Sequence, residues 1–137
     1  IMVNLIAGPK GNGKTKSLVE LIKHAVEEEN GSVVCLEKDK NLTFDIPHTV
    51  RLIHASDYGF DSIEFFKGFI SGLHAADYDI SHVFIANLFK MLNETDLDKI
   101  AELLDALDAF GNKENIKFTI TATADTATFG DNIKKYC

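Results

Sequence analysis

Residues 8–15 read Gly8-Pro9-Lys10-Gly11-Asn12-Gly13-Lys14-Thr15, a complete G-x-x-x-x-G-K-[ST] loop. An apolar run, Met2 to Ala7, leads into it, and a helical pattern opens at Thr15. No other feature restricts the fold so strongly. Such a loop holds phosphate only where a strand ends, a glycine turn bares backbone N–H groups, and a helix N-terminus points at the anion. The chain is therefore expected to contain a strand–loop–helix unit built around a nucleotide's phosphates.

The rest of the chain continues that alternation. Met2 to Ala7 reads as a buried central strand. Thr15 to Glu29 follows as a helix, with Leu18, Leu21, Ile22, Ala25 and Val26 on one face and Asn30-Gly31 as its stop. Ser32 to Leu36 is a second buried strand, and Val50 to Ala55 a short third one. The stretch from Asn41 to His48 reads as a loop or an edge element. Ser62 to Ala76 is expected as a helix with Ile63, Phe66, Ile70 and Leu73 inside; Gly68 and Gly72 on it suggest close packing. His82 to Ile85 is a strongly apolar strand. Asn93 can cap the next helix, whose stripe is Leu97, Ile100, Leu104, Leu107 and Phe110 and whose end is Gly111. Ile116 to Ala122 forms a further strand, and Asn132 to Tyr136 a short last helix. This order predicts a three-layer α/β fold of the P-loop NTPase type. Its mostly parallel sheet has about five strands, with helices on both faces. Residues 1–137 read as a single domain, without repeats or linkers.

Composition narrows the function. The net charge of −7 and the dispersed lysines argue against a nucleic-acid surface. No apolar run approaches the ~18 residues of a membrane span, and no signal peptide is visible. Cys35 and Cys137 form neither a disulfide framework nor a zinc spacing, which predicts a cytoplasmic protein. The five histidines show no metal-ligand spacing.

Each loop residue has an expected role. Gly8, Gly11 and Gly13 permit turns and close approaches that a Cβ blocks, Pro9 and Asn12 complete the turn, the N–H groups from about Lys10 to Thr15 cradle the β-phosphate, and Lys16 ends the nucleotide-binding stretch. Lys14 reaches the terminal phosphates, and Thr15 offers one oxygen to Mg²⁺ entering with ATP. Lys10 is a second cation beside the phosphates. An Asp normally ends a later strand and orders the Mg²⁺ shell. Here His82 to Ile85 runs into Ala86-Asn87, so Asn87 is the only polar side chain offered there. Glu37 and Asp39 follow the second strand, at the end of the sheet where ligands bind in open α/β folds. Thr123 and Asp125 close the last strand at the same end.

Other nucleotide-binding classes fit less well. Asn112-Lys113-Glu114-Asn115 lacks the closing Asp of the guanine-reading N-K-x-D motif. Arg51 is the only arginine, too few for the phosphate clamp of a small nucleoside kinase.

The loop, the strand–turn Val33 to Asp39 and the strand His82 to Ile85 together resemble small bacterial P-loop proteins often labelled twitching-motility ATPase-like. They also look like a minimal recombinase-type core. That resemblance implies Glu37 or Asp39 as the carboxylate that activates water, and Thr123 or Asp125 as a polar sensor. The small bacterial proteins commonly read Asp where this chain has Ala86-Asn87. The layout is also similar to type II thymidine kinases, though their zinc cysteines and catalytic Glu are missing. The expected function is an ATP- and Mg²⁺-binding protein whose ATPase activity is weak or depends on a protein partner or a second copy. The alternative is a nucleotide-sensing module that binds ATP or ADP without turnover.

Overall fold

Five apolar runs form five strands, and every strand pairs parallel to its neighbours. In the computed structural model, which describes residues 1–43 and 45–137, the order along the chain is as follows. Strand β1 (Val3–Gly8) leads through the loop to helix α1 (Lys14–Glu28) and strand β2 (Ser32–Glu37). Strand β3 (Arg51–His54), helix α2 (Ile63–Ala76) and strand β4 (Ile80–Ile85) come next. Then follow helices α3 (Leu88–Met91) and α4 (Leu97–Glu114), strand β5 (Lys117–Thr123) and helix α5 (Asp131–Lys134). The order across the sheet is β1-β5-β4-β2-β3. The last strand in sequence therefore lies beside the first, with Val3 opposite Phe118 and Gly8 opposite Thr123.

Strand alternation divides the core between two faces. Leu18, Ile22 and Ala25 of α1 pack with Val33, Cys35 and Phe84 on one face. Burial pushes the Cys35 thiol up to about 12, so it behaves as a small apolar side chain. Phe66 and Ile70 of α2, Leu103 and Leu107 of α4 and Ile133 of α5 pack with Val34, Leu36, Val83, Ile85, Phe118 and Ile120 on the other. Helices thus cover both faces, as expected.

Several local expectations are corrected. β1 is an edge strand, not a central one: Asn4 is exposed and Ile6 half-buried, because β5 takes the inner place. Leu21, expected inside, is 38% exposed, since α1 buries only the narrow stripe of Leu18, Ile22 and Ala25. Gly68 and Gly72 face open space and serve no close packing. α4 is capped by Asp96, whose carboxylate accepts from Asp98 N–H at 2.9 Å, and not by Asn93. It also runs past Gly111 to Glu114, because Asn115 adopts the left-handed cap (φ 58°) and donates its N–H to the Gly111 carbonyl. α3 was not foreseen; its buried Leu88 and Met91 plug the sheet after β4. Between Asn41 and His48 the described residues form turns with Leu42 buried; Phe44 lies outside the described residues.

Candidate functional site

The loop after β1 leaves a helix start with unspent donors. Gly13 caps α1 at φ 77° and supplies no side chain, and the first turn holds no acid. The first helical N–H with a partner is that of Ser17, on the Gly13 carbonyl at 3.1 Å. The N–H groups of Lys14, Thr15 and Lys16 have no helical acceptor, so α1 presents bare donors and the positive end of its dipole. Gly11 (φ 82°) and Gly13 take left-handed backbone that a Cβ would strain. At Gly8 a Cβ would lie 2.7 Å from Asn12 Nδ2, the end of an exposed side chain that folds over the turn and can move aside. Lys14 Nζ donates to the Pro9 carbonyl at 2.7 Å, so its ammonium lies along the loop. A cavity of about 360 Å³ opens over residues 10–16 and is closed from the sheet side by Asn87, Thr121 and Thr123.

The ends of β2, β4 and β5 also contribute, because a parallel sheet brings its C-terminal ends to one edge. Asn87 follows β4 in left-handed backbone (φ 57°), unusual for a side-chain-bearing residue. Its N–H donates to Thr121 Oγ1 at 2.8 Å, and its Oδ1 accepts from Thr123 N–H at 3.4 Å. Glu37 ends β2 and is buried. Its carboxylate accepts N–H bonds from Asn41 (3.0 Å) and Leu42 (3.2 Å) and lies 3.4 Å from His54 Nε2. Asp39 is half exposed and pairs with Lys90 Nζ at 3.1 Å. Glu37, Asp39 and Lys90 wall a second, smaller cavity of about 110 Å³ that shares Thr15, Asn87 and Thr121 with the first.

One expected residue stands apart. Asp125 accepts from Ala127 N–H at 3.0 Å and caps a 3₁₀ turn, Thr126–Thr128, outside both cavities. Arg51 opens β3 at the opposite end of the sheet. Two residues of the site went unassigned in the sequence. Thr121 lies two positions before Thr123, so strand alternation alone puts both on one face. Lys90 carried no signal, since its place depends on the short α3.

The chemistry of this arrangement is that of anion binding. A resident Mg²⁺ fits it poorly. Glu37 has given its oxygens to backbone donors, Asn87 is turned to Thr123, and Asp39 holds an ammonium. The remaining side-chain oxygens at the loop cavity, on Asn12, Thr15, Thr121 and Thr123, are all neutral. Among the described residues, no three His, Cys, Asp or Glu side chains gather as a metal site needs. No described helix is long and apolar enough to cross a membrane.

No protein-family model matches the chain, and no curated protein matches it in sequence. The fold does have a likeness among solved structures. It resembles the flagellar accessory protein FlaH from Methanocaldococcus jannaschii with a TM-score of 0.55 at 12% identity. The match covers 96% of this chain and 64% of FlaH, so the chain spans under two thirds of that neighbour. At this identity the likeness concerns architecture alone: a five-stranded parallel α/β fold.

Proposed function

We propose that this protein binds ATP or ADP through residues 8–16, and that its hydrolysis of ATP is weak or depends on a partner. The observation that carries the reading is the α1 N-terminus, with bare N–H groups, two left-handed glycines and no competing acid beneath an open cavity. Lys14 exchanges its Pro9 carbonyl for a phosphate oxygen, and Lys10 and Lys16 add charge at the rim. Where Mg²⁺ accompanies the nucleotide, Thr15 is the protein hydroxyl that meets it. Glu37 or Asp39 positions water only after leaving its present partners, which is why turnover is slow without help. Isothermal titration calorimetry with ATP, ADP and GTP is the test. A hundredfold excess over Kd should also add about 2.7 kcal/mol of stability. Binding that Lys14→Ala abolishes supports the reading; no heat and no stabilisation with any nucleotide ends it.

A second reading, a nucleotide-sensing module without turnover, is favoured by Asn87 at the strand end and by the engaged Glu37. Steady ATP hydrolysis that disappears in Lys14→Ala counts against it. Under the first reading, Asn87→Asp restores an acid at the strand end and should raise turnover.

A further inference from the structure

We propose that, with a nucleotide on the phosphate loop as read above, Lys90 stands in for a divalent cation. It leaves Asp39 and pairs with the terminal phosphate of ATP, so binding needs no metal. The geometry that supports this is the cavity of about 110 Å³ next to the loop cavity, with Thr15 on its wall beside the Lys90–Asp39 pair. A metal at this place is normally held by a carboxylate at the end of the strand that here is β4. That position is Asn87, and its carboxamide accepts a β5 N–H. The nearby Glu37 is committed to the turn at residues 41–42. Glu37 and Asn87 are engaged at the strand ends, and the remaining acid of the cavity, Asp39, is held by Lys90 on the same wall.

The exchange costs little. Lys90 and Asp39 are 52% and 49% exposed, and such a pair contributes about 0–1 kcal/mol. A metal-free triphosphate is the stronger partner, because it carries more charge than one carboxylate and several acceptor oxygens. The loop cavity is positive despite the acidic chain, lined by Lys10, Lys14 and Lys16 with no acid, while in the smaller one Lys38 and Lys90 balance Glu37 and Asp39.

The test is calorimetry with ATP and ADP, in EDTA and in excess Mg²⁺, on the wild type, Lys90→Met and Asp39→Asn. Both residues are half exposed, and thermal melts without ligand check that each variant keeps its fold. The wild type should bind ATP in EDTA within about threefold of its affinity in Mg²⁺. Lys90→Met should weaken ATP about tenfold in EDTA, as loss of a charge-assisted contact predicts, and leave ADP nearly unchanged. Asp39→Asn frees the ammonium and should bind ATP at least as tightly as the wild type. Wild-type binding that demands Mg²⁺, no loss in Lys90→Met, or an equal loss for ADP overturns the inference. Strict Mg²⁺ dependence together with Lys14-dependent binding removes this inference alone. Absence of binding under every condition removes it together with the phosphate-loop reading.

Discussion

His82 is the residue whose surroundings make the clearest statement about solution behaviour. Its Nδ1 lies 2.7 Å from Glu29 Oε2 and its Nε2 2.8 Å from Thr119 Oγ1, and its ring stacks on Phe84 at 4.0 Å. An ionised carboxylate only accepts, so Nδ1 carries the proton and Nε2 accepts from the Thr119 hydroxyl. Lys117 Nζ, 3.8 Å from Glu29, adds a positive group to the cluster. Burial disfavours the imidazolium and holds His82 below the ordinary 6.5, with the Glu29 bond offsetting this only in part. The unfolded chain then takes up this proton before the folded one does. The stabilising contribution is complete above 6.5 and is lost as pH falls through the folded value. Urea midpoints should therefore drop as pH falls from 7 towards 5, and His82→Gln should flatten that slope. An equal slope in the two proteins would remove His82 as its source.

At the scale of the element, the glycines of two helices predict opposite outcomes. Gly68 and Gly72 sit inside α2 with nothing near their missing Cβ atoms. Alanine at either site should stabilise the fold by about 0.5–1 kcal/mol, because it lowers the entropy of the unfolded chain and favours helix. Gly111 of α4 is the contrast: a Cβ there would collide with the Ile116 carbonyl and lie 2.9 Å from Met2 Cβ, so Gly111→Ala should destabilise. Thermal melts of the three variants decide the signs. The same contrast shows what a linear reading of the chain resolves. Long periodic elements such as α1, α2 and α4 were legible, because burial repeats every three or four residues. The four-residue α3 completes barely one turn and leaves no period to read. The cap of α4 was misplaced because Asn93 and Asp96 carry the same short polar chemistry, and only the chain path decides which one meets a free N–H. β1 looked central because its residues are apolar, yet edge or centre depends on where β5 inserts.

Over the whole molecule, the glycine turn between β1 and α1 was legible because its residues are contiguous in sequence. Its surroundings were not, because they come from three other strand ends brought together by sheet order. Glu37 could be recognised as an acid near the site, but its use on the backbone at residues 41–42 could not. Sheet order also sets the last requirement of the fold. With β5 inside, β1 has an open edge, and α5 covers part of it. The Tyr136 carbonyl accepts the Leu5 N–H at 2.7 Å, and the Tyr136 hydroxyl meets Asp105 Oδ1 at 2.5 Å on α4. Ile133, fully buried, anchors the helix in the larger core. Ile133→Ala should cost about 2–5 kcal/mol through lost burial and the cavity left behind. That is a large part of the roughly 5–15 kcal/mol that holds a domain together. Tyr136→Phe keeps the ring and the backbone bond and removes only the hydroxyl contact, so it should cost about 0.5–1.5 kcal/mol. Because an uncovered strand edge templates pairing between chains, Ile133→Ala should also associate as its concentration rises, whereas Tyr136→Phe should not. Urea titrations and sedimentation measure both effects. A loss below about 1 kcal/mol for Ile133→Ala, with no association, would mean that α5 rests on the sheet without protecting its edge.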